Sequence, residues 1–168
     1  SGTTSGTKYI PMTSEGLKAQ INAARRSLMC YMNETGNAAF TDGKMIFLQG
    51  SPEMDDEKAG IGVGRLSGIV AHHVPKYLQK NRMPSWKTNC ISDWEKKVDA
   101  IVDETMHQDM RLISGIPPWV QMYFERLLEK SGKQNIKELF PNFSVFAHGG
   151  VNYEPYKATM ESLIGAKV

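Results

Sequence analysis

Apolar residues recur at helical spacing through Leu17, Ile21, Ala24, Leu28 and Met32, the rhythm of one face of an α-helix. Thr13 or Ser14 can cap this segment, Glu15 suits its electropositive first turn, and Gly36 is a natural stop. Lys44-Met45-Ile46-Phe47-Leu48-Gln49 is a short apolar run with the length of a buried strand. From Gly50 to Gly68 the pattern dissolves. Ser51, Pro52, the acidic residues Glu53, Asp55, Asp56 and Glu57, and then Gly60, Gly62 and Gly64 predict one long loop. Loops of that length are usually functional or mobile. Ile69 to Lys80 predicts a helix interrupted near Pro75.

Further along, Ser92-Asp93-Trp94-Glu95 has the spacing of a capping box that starts on Ser92. Trp94, Val98, Ile101, Val102 and Thr105 then share one helix face. Met110 to Ser114 predicts a strand. Gly115, Ile116, Pro117 and Pro118 turn it into a helix carrying Trp119, Tyr123, Leu127 and Leu128. Phe143 to Ala147 predicts another strand, ending at His148-Gly149-Gly150, and Pro155 opens a last helix through Tyr156, Met160, Leu163 and Ile164. Strand, glycine turn and helix thus occur twice in succession. That alternation predicts an α/β fold, a parallel or mixed sheet flanked by helices. Ligands of such sheets bind beyond the carboxyl ends of the strands, which directs attention to Gly115–Pro117 and His148–Gly150.

Composition narrows the function classes. The chain has 168 residues, the length of one domain. Its 20 Lys and Arg against 18 Asp and Glu leave a net charge of +2, which argues against a nucleic-acid partner. Its longest apolar run, Leu28 to Met32, is far below the roughly 20 residues of a membrane span. No basic start followed by an apolar core appears. Cys30 and Cys90, without close spacing, read as two reduced thiols of a cytoplasmic protein.

The first eight residues hold the densest chemistry. Ser1-Gly2-Thr3-Thr4-Ser5-Gly6-Thr7-Lys8 combines two glycines, several hydroxyls and one lysine. Glycines let backbone N–H groups converge on an anion, hydroxyls add donors and lysine adds a mobile charge. The inventory suits a nucleoside triphosphate, and a flexible terminus stands as the equal alternative. The Walker pattern is not met, because Thr7 separates Gly6 from Lys8. The abrupt start at Ser1 reads as a cut inside a larger protein, or as the remnant of a tag.

Three stretches together carry a family resemblance. They are Ser1 to Thr13; Ser114-Gly115-Ile116-Pro117-Pro118-Trp119; and Phe140-Pro141-Asn142 followed by Phe146-Ala147-His148-Gly149-Gly150-Val151-Asn152-Tyr153-Glu154-Pro155-Tyr156. In this order they resemble the auxin-responsive acyl-acid amido synthetases, a branch of the luciferase-like adenylate-forming superfamily. The resemblance implies that residues 1–168 are part of an adenylation domain, running from the start of the phosphate loop to the Gly-Gly turn. It implies a two-step ligation: a small carboxylic acid attacks ATP to give an acyl-adenylate, and an amine or amino acid then takes the acyl group.

By the same resemblance Thr3, Thr4, Ser5, Gly6 and Lys8, with Ser1 and Gly2, hold the departing phosphates, Lys8 being the catalytic candidate. Gly149 and Gly150 approach the nucleotide and the acyl-phosphate. His148, Gly115, Ile116 and Trp119 border the acid. Two departures stand out. Family members often carry a Gly-Lys before a second lysine, whereas Gly6-Thr7-Lys8 offers one. The family's Tyr/Ser/Glu motif, its ribose-binding acid and its C-terminal lid do not occur in the chain, so the Mg²⁺ ligand is expected outside it and the isolated segment is expected to be inactive. A non-catalytic module that binds nucleotide or phosphate is the alternative.

Several residues have plainer readings beside these. His148 fits a structural turn histidine as well as a substrate contact. Gly149 and Gly150 fit positive φ angles as well as a ligand approach. Trp119 fits a wall of the acid site or packing of a helix start. His72 and His73 are adjacent, diverge by about 100° on a helix and lack a third metal ligand. The acidic run from Glu53 to Glu57 reads as a solvated loop rather than a cation site. Met29, Met32 and Met122 read as core more than as an adaptable pocket. Arg25 and Arg26 read as a solvated face.

Overall fold

The computed structural model describes residues 9–58, 60–74 and 79–167. They fall into two compact units, one ending at Asn37 and the other beginning at Ala38.

The first unit is built on α1 (Ser14–Thr35). Thr13 supplies the cap, its hydroxyl accepting from the Gly16 N–H at 3.1 Å. Gly36 stops the helix with φ 66°, a left-handed angle that glycine adopts without Cβ strain, and its N–H donates to Met32 O at 2.9 Å. Both ends match the sequence reading. The expected core role of Met29 does not hold, because it is 58% exposed. No residue of α1 is buried; Leu17, Ile21, Leu28 and Met32 are half-buried and Ala24 is exposed. Arg25 and Arg26 are exposed.

The second unit centres on a four-stranded, wholly parallel sheet in the order β4-β1-β5-β6. The strands are β1 (Lys44–Phe47), β4 (Arg82–Met83), β5 (Met110–Gly115) and β6 (Val145–His148). The α/β expectation is met, and the sheet is parallel rather than mixed. Central β5 buries Met110, Leu112 and Ile113 in near succession, as expected of a parallel strand covered on both faces. The predicted Phe143–Ala147 strand begins two residues later and runs on through His148. It lies at one end of the sheet, paired with β5.

The predicted loop from Gly50 to Gly68 is partly ordered instead. β2 (Asp55–Lys58) and β3 (Ile61–Val63) form an antiparallel pair. α2 (Leu66–His72) starts inside the expected loop and ends well before Lys80; the Pro75 interruption lies outside the described residues. α3 (Trp86–Asn89) follows β4. α4 (Trp94–Thr105) is capped by Asp93, whose carboxylate accepts from the Lys96 N–H at 3.0 Å. The cap is therefore one residue beyond Ser92, because a carboxylate serves this turn at least as well as a hydroxyl. α5 (Pro117–Ser131), the short α6 (Ile136–Leu139) and α7 (Glu154–Ile164) complete the unit.

The core joins β1 and β5 to α4, α5, α6 and α7 through Ile46, Ile113, Ile101, Phe124, Ile136 and Met160. Each such side chain, fully buried, contributes about 1.5–3 kcal/mol. Tyr123, wholly buried, keeps its hydroxyl satisfied by Thr105 Oγ1 at 2.7 Å. The Thr105 hydroxyl donates in turn to Ile101 O at 2.7 Å, so the tyrosine is the donor between them. The core fixes β1 and β5 rigidly, and with them the ends from which the cavity is built.

Candidate functional site

Parallel pairing aligns three strand ends. The Leu48 N–H donates to Ser114 O at 2.8 Å. Ser114 pairs in register with Ala147, and Gly115 with His148. Beyond these ends lies a cavity of about 500 Å³, within the range of small-molecule sites. Leu48, Ser114 and Ala147 line it together with Gly115 and His148 at the ends of β5 and β6, Ile116 and Gly149 from the turns that follow, and Trp119 from the first turn of α5. Gln49, Gly50, Arg65 and Ser67 close the remaining side. A second cavity, of about 430 Å³, lies between α4 and α5 among Asp99, Arg126, Glu129 and Lys130. Its charges lie beside one another at the surface, Arg126 standing 3.9 Å from both Asp99 and Glu129, and no strand end reaches it.

Five of the residues expected from sequence, Gly115, Ile116, Trp119, His148 and Gly149, thus meet in one cavity. Trp119 has two sets of neighbours. It lines the cavity and packs against Trp94, ring centroids 4.3 Å apart, while the Trp94 indole N–H donates to the Met122 sulfur at 3.1 Å. His148 is exposed and stacks on Tyr153 at 4.1 Å with the rings inclined by 24°. Burial, then the nearby Glu161 and Glu154, pushes the Tyr153 phenol above its ordinary range, and its buried hydroxyl meets no hydrogen-bond partner among the described residues.

The two glycines differ. Gly150 has φ 84°, and a Cβ there would fall 2.9 Å from Ile116 Cγ2. Its role is to bring the turn after β6 against the turn after β5. A Cβ at Gly149 would meet nothing within 4 Å, so its backbone faces open space at the cavity. Positive φ therefore explains Gly150 and leaves Gly149 free for a ligand.

Behind the Gln49 wall sits Lys97, only 1% exposed. Its ammonium donates to Gln49 O at 2.9 Å and to Asn89 O at 2.6 Å. Burial lowers its pKa to about 8, with repulsion from Arg65 acting the same way and Cys90 opposing. Sequence reasoning missed Lys97, Gln49 and Arg65. Lys97 sits on the buried face of a helix where only apolar residues attract notice. Gln49 precedes the Gly50–Gly68 stretch read as one long loop, and Arg65 lies within it. The one usable signal was position, since Gln49 and Gly50 follow a strand end.

Among the described residues no group of three or more His, Cys, Asp and Glu could hold a metal ion, and no carboxylate lines the cavity. The described residues therefore do not fit a Mg²⁺ site. His72 is engaged structurally, its Nε2 2.8 Å from Pro52 O and its ring edge-on to Trp86 at 4.8 Å. His73 ends α2. Neither Cys30 nor Cys90 is in a disulfide. Ser1, Gly2, Thr3, Thr4, Ser5, Gly6 and Lys8 lie outside the described residues. No helix among the described residues is long and apolar enough to cross a membrane.

A parallel α/β domain with a cavity at the carboxyl ends of its strands is the class these features define. The chain matches the GH3 family N-terminal domain over residues 1–97 and again over 82–167, and it belongs to that family. The GH3 family is that of the auxin-responsive acyl-acid amido synthetases, which form adenylates. No curated protein and no solved structure matches the chain significantly.

Proposed function

We propose that the protein carrying this chain activates a small carboxylic acid with ATP and transfers the acyl group to an amine or amino acid. Residues 1–168 then form part of the adenylation domain, and the lid and the Mg²⁺ and ribose ligands lie elsewhere in a cytoplasmic protein. The observation that carries this reading is the gathering of the family-like turn residues Gly115, Ile116, Trp119, His148 and Gly149 around one cavity at the strand ends.

In the first step a carboxylate oxygen attacks the α-phosphorus and pyrophosphate leaves. In the second the amine nitrogen attacks the acyl carbon, loses a proton and expels AMP. No side-chain nucleophile is needed, so the chain's contribution is positioning and charge stabilisation. Ser1, Gly2, Thr3, Thr4, Ser5, Gly6 and Lys8 hold the departing pyrophosphate. Gly149 and Gly150 bring the β6 turn to the nucleotide. His148, Gly115, Ile116 and Trp119 border the acid, the indole offering a flat apolar face.

The intact protein is expected to catalyse acid-dependent exchange of pyrophosphate into ATP. Lys8→Ala should lower that exchange by about tenfold to a hundredfold, the value of one hydrogen bond to a charged group. Unchanged exchange in Lys8→Ala would remove this lysine from the mechanism. No exchange in the unmodified protein with any acid would overturn the reading itself.

A further inference from the structure

We propose that Arg65 is the anion-binding residue of the strand-end cavity and that it takes the carboxylate of the acid substrate. The inference rests on the adenylation reading and adds to it the residue that selects a charged acid. Among the described residues Arg65 is the one formally charged side chain lining the cavity, and no aspartate or glutamate lines it. Its guanidinium has no ion pair or hydrogen bond among the described residues.

The exposed side chain has room at the cavity wall because residue 50 carries no Cβ. A Cβ at Gly50 would fall 2.8 Å from Arg65 Nη1 and 2.9 Å from its Cδ. The arginine therefore lies directly over the Gly50 backbone at the cavity wall. Beneath that wall the Lys97 ammonium is tied to Gln49 O, and it feels the Arg65 charge as repulsion. Two cations converging on one side of a cavity without a carboxylate are an electrostatic cost that a bound anion relieves. The planar fork of arginine matches a carboxylate in two parallel hydrogen bonds.

A nucleotide phosphate has the same charge chemistry. The surroundings favour the acid, because Leu48, Ile116, Trp119 and Ala147, which line the same cavity, suit an apolar body attached to the anion. Cavity size agrees with a small acid.

The test uses the intact protein and equilibrium binding of benzoate, hexanoate, their neutral primary amides and AMP, read by calorimetry. Wild type should bind each acid more tightly than its amide. Arg65→Gln should weaken the acid by about tenfold to a hundredfold and erase its advantage over the amide. Amide and AMP affinity should stay within about twofold, and Arg65→Lys should restore part of the loss. A merely structural role would weaken acid and amide alike and would overturn the proposal. Equal binding of acid and amide by wild type would also overturn it. Loss of AMP affinity in place of acid affinity would assign the guanidinium to phosphate and overturn the carboxylate assignment. Pyrophosphate exchange is measured in parallel: its absence in wild type defeats the adenylation reading, while the acid-against-amide comparison still decides Arg65.

Discussion

Lys97→Ala is expected to destabilise the protein by about 3–5 kcal/mol. Two costs combine. The four-carbon stem is packed in the core, and its removal leaves a cavity. The buried Asn89 carbonyl and the half-buried Gln49 carbonyl lose their donor, which costs about 1–3 kcal/mol for a buried group left unsatisfied and less for the partly exposed one. Lys97→Met separates the terms by keeping the stem, and should cost only the second part.

The same lysine sets a pH dependence of definite sign. Its folded pKa of about 8 lies below the ordinary lysine value of 10.5, chiefly through burial. Between those values the unfolded chain binds more protons than the folded one, so stability gains with rising pH. Below about pH 8 the cost of the buried charge is fully present. Relative to Lys97→Met, the wild type should therefore gain stability from pH 8 to 10, by at most about 2–3 kcal/mol at about 1.4 kcal/mol per pKa unit. Denaturant unfolding of both proteins at pH 7, 8, 9 and 10 checks this. Parallel curves would mean that the ammonium is not desolvated. Because Lys97 anchors the Gln49 carbonyl at the cavity wall, its loss should also disturb the surface on which Arg65 lies.

The contrast between Met29 and Ile113 shows what the sequence made legible. Both sit in apolar patterns, yet β5 is buried on both faces while no residue of α1 is buried. Periodicity reports a face without reporting what covers it. The strand ends were readable because Gly115 and His148–Gly150 break two apolar runs with residues that only a turn needs, and parallel sheets bind ligands there. The β2–β3 pair was not readable. Acidic residues and glycines have poor strand propensity, and the pairing is carried by the backbone. β4, two residues long, is too short for any period to register. Arg65 and Lys97 illustrate a different limit. A cation on a loop and a cation on an apolar helix face each look ordinary until the fold brings Gln49 and Gly50 between them.

Gly150→Val is expected to cost about 2–5 kcal/mol, from two sources that can be measured apart. A β-branched residue at φ 84° is held in a region that L side chains avoid. Its Cβ would also press against Ile116 Cγ2, 2.9 Å away, an overpacking cost. Gly150→Ala made together with Ile116→Ala removes the contact and keeps the dihedral, so the double variant should recover only part of the stability lost by Gly150→Ala. Full recovery would show that the angle relaxes freely; no recovery would show that the two turns do not bear on each other. Gly149→Ala is the matched control, since its Cβ meets nothing within 4 Å, and its unfolding free energy should stay within about 0.5 kcal/mol of wild type. With the fold intact, a drop in acid-dependent pyrophosphate exchange in Gly149→Ala would locate the reacting groups against that backbone. Unchanged exchange would place them away from it, leaving Gly150 as a residue that shapes the site by joining the turn after β6 to the turn after β5.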